Sequence, residues 1–189
     1  MIQGYCFDMD GTLLDTECLW IEAIEQYLQS VGHALSRKEA NELVYGRSWH
    51  DIHQDLVDRY KELKMPVAEM ETHIAPFFEA LGRARDVRII NSIELLKQLA
   101  LDAPVCIVSG SSRSTIAKGI DSMGVAPQLT FYLGAEDYSP GKPDPACYLM
   151  AAQRLGLAPE MCMVFEDSEA GVRSAKAAGM KCVALVRNE

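Results

Sequence analysis

Two aspartates near the start of the chain, Asp8 and Asp10, have the spacing to share one chemical site. They follow three residues that suit a buried strand, Tyr5 to Phe7, and alternate residues of a strand project to the same side. Two carboxylates so close repel each other unless a cation lies between them or one is protonated. The pair therefore suits a hard divalent cation or acid–base chemistry. An isolated D-x-D-G is more simply a strand ending in a turn, so the interpretation depends on partner residues elsewhere.

Polar residues also end two later strand-like segments. The apolar run VCIV precedes Ser109 and Gly110, and the run MCMVF precedes Glu166 and Asp167. Ligands of open parallel sheets bind beyond the carboxyl ends of the strands, so we expect these residues at one edge of a sheet. Donors at a helix start can cradle a phosphate, and two more carboxylates extend the first pair to a candidate four-carboxylate Mg²⁺ site. The simpler alternatives are a helix cap for Ser109 and acids that complement a helix dipole.

Two further features lie near these segments. Ser111 and Ser112 are expected to cap the following helix rather than to bind a ligand. Lys142 lies in the loop SPGKPDP, residues 139–145, whose prolines and glycine restrict the backbone and can hold one lysine in place. A site this rich in negative charge needs such a cation if it is to bind a phosphate, although an exposed lysine is the usual alternative.

The elements that must position these residues are predicted from hydrophobic periodicity. Helical spacing runs through residues 15–86, with a capping box formed by Ser36 and Glu39 and expected helix ends at Gly46 and Gly82. Beyond that stretch, strand-like runs alternate with helices. The later strands are predicted over residues 104–108, 129–133, 162–165 and 181–186.

This alternation predicts an α/β fold with a doubly wound parallel sheet, covered on both faces. The first strand precedes the helical stretch, so the helices form an insertion. We therefore predict a core of residues 1–14 and 87–189 and an α-helical cap of residues 15–86.

Composition narrows the function classes. The chain has 189 residues, 49% of them hydrophobic, and a formal net charge of −9 without a basic cluster, which argues against nucleic-acid binding. We find no apolar run of membrane-spanning length and no room for a signal peptide before the first strand. The six cysteines form no C-x-x-C pair, as expected of reduced thiols. We expect a cytoplasmic monomer that binds neither nucleic acid nor membranes.

Four motifs together resemble those of the haloacid dehalogenase-like hydrolase superfamily, in order and spacing across the whole chain. They are DMDGT at 8–12, Ser109, GKPDP at 141–145 and FEDSEAG at 165–171. The helical insertion resembles the C1-type cap of the β-phosphoglucomutase and sugar-phosphatase branch. The chain departs from the family in lacking a Pro-Gly near residues 88–92 and in ending soon after its last strand, as a compact member or an incomplete one would.

The resemblance implies a Rossmannoid core and a role for each motif. Asp8 would be the nucleophile that forms an aspartyl phosphate, and Asp10 the general acid and base. The transferring phosphoryl group would be bound by Ser109, Gly110 and Lys142. Mg²⁺ would be held by Asp8, the backbone carbonyl of Asp10, Glu166 and Asp167.

Three functions fit this pattern. The first is a Mg²⁺-dependent phosphatase acting on a small phosphorylated metabolite, such as a sugar phosphate. The second is a phosphosugar mutase, which is weakened because β-phosphoglucomutases carry a histidine where this chain has Trp20. The third is a phospho-acceptor or metal-binding regulator without turnover, against which an intact general base at Asp10 argues.

Substrate selection is expected from the helical insertion, and its most unusual stretch contains Arg47, Trp49 and His50. Arg47 could grip an anionic or hydroxylated ligand, and Trp49 could stack on a sugar face. A surface loop with a core tryptophan is the equally weighted alternative.

Overall fold

The computed structural model describes residues 1–44, 47 and 49–186, apart from the side chain of His50. The chain divides into two compact units. One comprises Met1–Asp15 and Arg88–Glu189, and the other comprises Thr16–Val87.

Strands and helices alternate in the first unit, and helices fill the described part of the second. The strands are β1 (Gly4–Phe7), β2 (Val105–Val108), β3 (Leu129–Leu133), β4 (Cys162–Glu166) and β5 (Lys181–Ala184). The helices are α1 (Glu17–Ser30), α2 (Arg37–Val44), α3 (Trp49–Arg59), α4 (Val67–Ala84), α5 (Ile90–Leu99), α6 (Arg113–Met123), α7 (Ala146–Leu155) and α8 (Glu169–Ala177). Short 3-10 turns lie at Lys61–Leu63, Ala126–Gln128 and Pro159–Met161.

The sheet of the first unit is parallel and has the strand order β3-β2-β1-β4-β5. Its central strand is β1, where Cys6 pairs with Cys106 of β2 on one side and with Val164 of β4 on the other. Every residue of β2 is buried, as expected of an apolar strand whose two faces are both covered. The predicted α/β class with a parallel sheet is confirmed.

The helix ends predicted from the sequence can be compared with those in the structure. Ser36 and Glu39 form the predicted capping box, since the Glu39 amide donates to Ser36 Oγ at 3.3 Å and the Ser36 amide donates to Glu39 Oε2 at 3.0 Å. The predicted helix end at Gly82 is wrong, because α4 continues to Ala84. A glycine costs an internal helix position only about 1 kcal/mol, which packing of the apolar helix face outweighs. The end predicted at Gly46 lies outside the described residues.

The helical unit packs around its own apolar core, which includes Ile24 and Leu28 of α1, Leu56 of α3, and Met70 and Ile74 of α4.

In the part of the chain that the structure describes, we find no helix long and apolar enough to cross a membrane. All six cysteines are free thiols in the structure.

Candidate active site

The polar residues that end β1, β2 and β4 meet at one edge of the sheet. Because β2 and β4 flank β1, their carboxyl ends carry Ser109 and Glu166 to either side of Asp8. Asp8, Ser109 and Glu166 are all buried. The convergence that the sequence predicted therefore follows from the strand order.

Lys142 links two of these carboxylates. Its Nζ donates to Asp8 Oδ1 and to Glu166 Oε1, both at 2.6 Å, and to the carbonyl oxygen of Val108 at 3.1 Å. The lysine side chain is only 12% exposed, so its charge is compensated by the two carboxylates rather than by water. The predicted loop thus holds Lys142 inside the site, and the alternative of an exposed lysine is wrong.

Burial and neighbouring charges of opposite sign shift the pKa values of Asp8, Glu166 and Lys142 in opposite directions. Burial raises the pKa of Asp8 well above its usual range, with Glu166 and Asp10 adding to the rise and Lys142 opposing it. Burial acts in the same sense on Glu166, but Lys142, the Ser168 amide and the Tyr148 hydroxyl outweigh it and lower the pKa of that carboxyl. Burial opposes the charge of Lys142, yet its anionic neighbours raise the pKa of the ammonium group above its usual value. The lysine therefore stays charged.

Three carboxylates form the candidate metal cluster. Among the described residues, Asp8, Glu166 and Asp167 each offer an oxygen, and these oxygens lie within 4.8 Å of one another. Oxygen ligands at this separation suit Mg²⁺, so the donor set fits the ion implied by the family resemblance. The carboxylate of Asp10 does not belong to this cluster; the resemblance assigned its backbone carbonyl to the metal, and that role stays a prediction.

Two glycines make room for the cluster. A Cβ on Gly11, whose φ is 89°, would overlap the Asp167 carboxylate. A Cβ on Gly171, in the first turn of α8, would overlap the Glu166 carboxylate. Thr12 then donates to Asp167 Oδ1 at 3.3 Å. The glycines of the first and last motifs are thus needed for close approach to the acids.

Asp10 lies against the loop that follows β2. Its Oδ2 accepts hydrogen bonds from the hydroxyl groups of Ser109 at 2.9 Å and Ser111 at 2.8 Å. The prediction that Ser111 caps α6 is wrong in this respect, since the Ser112 side chain is the cap and accepts from the Thr115 amide at 3.3 Å. The sequence could not decide this, because adjacent serines in a turn point in different directions.

Several supporting residues were not predicted from the sequence. Tyr148 of α7 donates to Glu166 Oε1 at 2.9 Å, and the amide and hydroxyl of Ser168 donate to Glu166 Oε2 at 3.1 and 3.0 Å. Tyr138 donates to the carbonyl oxygen of Ser109 at 2.9 Å. Both tyrosines are buried, so their hydroxyls need a partner, and this is the signal that places them near a polar site.

A cavity of about 460 Å³ adjoins Lys142. It is lined by Gly110, Ala135, Tyr138, Ser139, Gly141 and Lys142. Gly110 is exposed and has open space where a Cβ would be, so its backbone is accessible to a ligand. Two of the three residues predicted to bind the phosphoryl group, Gly110 and Lys142, therefore line one cavity, and the third, Ser109, is not among its lining residues.

The predicted specificity residues lie in the helical unit. Arg47 donates to Asp55 Oδ2 at 2.6 Å, so this arginine is already paired with an acid of its own unit. Trp49 has a buried indole N–H without a hydrogen-bond partner among the described residues and lies 5.2 Å from the ring of Trp20, which stacks on Phe78 at 4.3 Å. The side chain of His50 lies outside the described residues.

Comparison with known proteins identifies the family. The model of the haloacid dehalogenase-like hydrolases matches residues 5–185. The bifunctional riboflavin kinase/FMN phosphatase of Arabidopsis thaliana is 32% identical over 181 residues, which are 94% of this chain and 47% of that protein. Hexitol phosphatase A of Escherichia coli is 30% identical over 186 residues, covering 97% of this chain and 82% of the relative.

A solved structure shares the fold. The crystal structure of a haloacid dehalogenase family hydrolase from Deinococcus radiodurans R1, with bound phosphate and sodium, has a TM-score of 0.76 and 26% identity, covering 96% of this chain and 79% of that one. The chain therefore belongs to the haloacid dehalogenase-like hydrolase family. It is an enzyme of the phosphomonoester-hydrolase class of that family.

Proposed function

We propose that this protein is a Mg²⁺-dependent phosphatase that hydrolyses a small phosphomonoester, a sugar phosphate or sugar-alcohol phosphate, through an aspartyl phosphate on Asp8. The observation that carries the proposal is the position of Lys142, 2.6 Å from both Asp8 and Glu166, inside a cluster of three carboxylates. An anionic nucleophile repels an anionic phosphoryl group, and a buried cation beside the nucleophile offsets that repulsion.

The first step of the proposed reaction transfers the phosphoryl group to the protein. A carboxylate oxygen of Asp8 attacks phosphorus, the ester P–O bond breaks, and the leaving alkoxide takes a proton from Asp10. Lys142, Ser109 and the backbone at Gly110 hold the phosphoryl oxygens. Mg²⁺, held by Asp8, Glu166, Asp167 and the carbonyl oxygen of Asp10, would supply further positive charge to these oxygens when bound.

The second step restores the enzyme. Asp10, now ionised, takes a proton from a water molecule, whose oxygen attacks phosphorus. The bond between phosphorus and the Asp8 oxygen breaks, so that the carboxylate of Asp8 and inorganic phosphate are formed. Asp10 ends the cycle protonated, as it began.

The substrate class is proposed from the relatives and from the helical unit. Of the two relatives described above, one is named an FMN phosphatase and the other a hexitol phosphatase. We assign selection of the ester to Arg47, Trp49 and His50 of the helical unit, with the Trp49 ring as a stacking surface for a sugar. Trp20 packs between Trp49 and Phe78, which supports a packing role rather than the acid–base contact that a mutase requires.

A panel of phosphomonoesters tests the proposal. With Mg²⁺ and no sugar bisphosphate, we expect release of inorganic phosphate from p-nitrophenyl phosphate and faster release from at least one sugar phosphate or sugar-alcohol phosphate. If β-glucose 1-phosphate plus the bisphosphate gives glucose 6-phosphate much faster than any ester gives phosphate, the protein is a mutase. Stable phosphorylation of Asp8 without turnover would identify a regulator instead.

Mg²⁺ is expected to raise the melting temperature of the protein. A ligand at a hundredfold excess over its Kd stabilises the folded state by about 2.7 kcal/mol, or roughly 5–10 °C for a chain of this length. Asp167→Ala should remove most of this shift and most of the activity.

Glu169→Ala is the matched control for the metal prediction. Glu169 is an exposed acid two residues further along and pairs with Arg173, outside the carboxylate cluster. Its variant should keep the shift of the unmodified protein. An undiminished shift in Asp167→Ala would mean that Asp167 does not bind the metal.

A further inference from the structure

The loop after β2 contains a hydrogen-bonded triangle that includes Asp10. The hydroxyl groups of Ser109 and Ser111 both donate to Asp10 Oδ2, at 2.9 and 2.8 Å. The Ser111 amide in turn donates to Ser109 Oγ at 3.0 Å. Since that amide can only donate, Ser109 Oγ accepts from it, and its own hydrogen points to Asp10. The directions of the two bonds at Ser109 Oγ are thereby fixed.

Ser111 is itself held by the backbone. Its carbonyl oxygen accepts from the Ala135 amide at 2.9 Å, beyond the end of β3, while its own amide is bound to Ser109. With both backbone groups fixed, the hydroxyl of Ser111 has a defined position next to Asp10. A donor fixed in this way can orient a carboxylate with little loss of further entropy.

The two serines differ in what else they are needed for. In the proposed function, Ser109 binds the phosphoryl group, so its hydroxyl must leave Asp10 or be shared when substrate arrives. Ser111 has no such second role. Its hydroxyl can stay on Asp10 through the reaction while that of Ser109 turns to the phosphoryl oxygens.

We propose that Ser111 is the positioning residue of the general acid and base: its hydroxyl holds the Asp10 carboxylate in place during proton transfer after Ser109 has turned to the substrate. The inference rests on the proposed function, because it assumes that Asp10 gives a proton to the leaving group and takes one from water. Ser111 contacts neither Asp8 nor Lys142 through any hydrogen bond of the described structure, so its effect is confined to proton transfer.

The choice of leaving group separates this role from a general structural one. An alkoxide leaves only with a proton from Asp10, whereas p-nitrophenolate leaves without one. Phosphorylation of Asp8 by p-nitrophenyl phosphate therefore needs no acid, but hydrolysis of the aspartyl phosphate still needs Asp10 as a base. Poor positioning of Asp10 should slow both steps with an alkyl ester and only the second step with p-nitrophenyl phosphate.

Ser111→Ala is the test, with stopped-flow and steady-state kinetics in the presence of Mg²⁺. We expect kcat for an alkyl phosphate to fall about tenfold with KM changed less than about twofold, which is the effect of losing one hydrogen bond. With p-nitrophenyl phosphate we expect a burst of one nitrophenol per active site, at a burst rate within about twofold of the unmodified enzyme, followed by slow turnover. Ser111→Thr keeps the hydroxyl and should restore at least half of the lost kcat.

Ser112→Ala is the matched control, because Ser112 caps α6 in the same turn and does not bond to Asp10. It should show neither the burst nor the dependence on leaving group. Three results would overturn the inference: unchanged kcat for alkyl esters in Ser111→Ala, a burst rate that falls as far as the alkyl rate, or a Ser111→Thr enzyme as slow as Ser111→Ala. Failure of the proposed function is distinct, since the unmodified chain would then hydrolyse no ester.

Discussion

Replacing Asp8 with asparagine is expected to reduce phosphate release by at least about a thousandfold, the scale seen when a covalent nucleophile is removed. An amide is uncharged and too poor a nucleophile to form the acyl phosphate. Asparagine keeps an oxygen that can accept the hydrogen bond now made by Lys142 at 2.6 Å, so the site should keep its shape. The measurement is steady-state phosphate release with Mg²⁺, together with a search for phosphorylated Asp8 peptide after acid quench of the unmodified enzyme.

Stability gives this prediction an internal control. Burial raises the pKa of Asp8 above its unfolded value, so the folded state loses stability as pH rises and this carboxyl ionises. The uncharged amide of the variant would carry no such cost, so at neutral pH and without divalent cations Asp8→Asn should melt no lower than the unmodified protein. Asp121→Asn, at an exposed position of α6, should leave activity unchanged. Retention of more than about a tenth of the activity in Asp8→Asn would contradict the nucleophile role.

Replacing Lys142 with methionine is expected to cost both stability and activity. Removing one partner of a buried ion pair typically costs about 3–5 kcal/mol, because the remaining charge is left uncompensated. Here two carboxylates, Asp8 and Glu166, lose the same cation. Under the proposed mechanism, activity should fall at least about a hundredfold, because the site loses the cation that lies beside Asp8. Urea unfolding at neutral pH without divalent cations measures the first effect.

The stability loss in Lys142→Met should shrink in acid. In the unmodified protein the folded state lowers the pKa of Glu166. Glu166 therefore stabilises the folded state at pH above the pKa that it has in the unfolded chain, and this contribution is lost as pH falls. Without Lys142, burial is the dominant effect and raises the pKa of both carboxyl groups. Their contribution to the stability of the folded state is then complete below the pKa of about 4 that they have in the unfolded chain, and it is lost as pH rises. The two unfolding curves should therefore converge between neutrality and about pH 4. Lys118→Met, at an exposed position of α6, should show a pH-independent difference near zero.

The site residues at the strand ends could be predicted from the sequence, because their positions depend only on the order of residues along the chain and on where an apolar run gives way to a polar residue. An apolar run that stops at a carboxylate or a serine is visible along the chain, and a parallel sheet brings such ends to one edge. Asp8, Ser109 and Glu166 were located in this way, and Lys142 through its restricted loop. Each of these four residues could be predicted from its own segment of the sequence alone.

The contributions of Ser111 and Tyr148 could not be predicted, because each depends on side-chain direction. Ser111 and Ser112 are neighbours of the same type in one turn, yet one bonds to Asp10 and the other caps α6. Tyr148 lies in a helix whose apolar spacing gives it the pattern of an ordinary core residue, and only its buried hydroxyl distinguishes it. The hydrogen bonds made by polar groups within an apolar segment depend on tertiary packing, which hydrophobic periodicity does not predict.

The central place of β1 in the sheet also determines when the site can form during synthesis. Tyr5 of β1 pairs with Val105 and Met163, so both neighbours of this strand leave the ribosome much later than the strand itself. At about 5–20 residues per second, β1 waits roughly 5–20 s for β2 and longer for β4, with both hydrogen-bonding edges unpaired. The nascent chain therefore displays the D-x-D motif long before it can bind a phosphate, and chaperone dependence should be greatest while the helical unit is being translated.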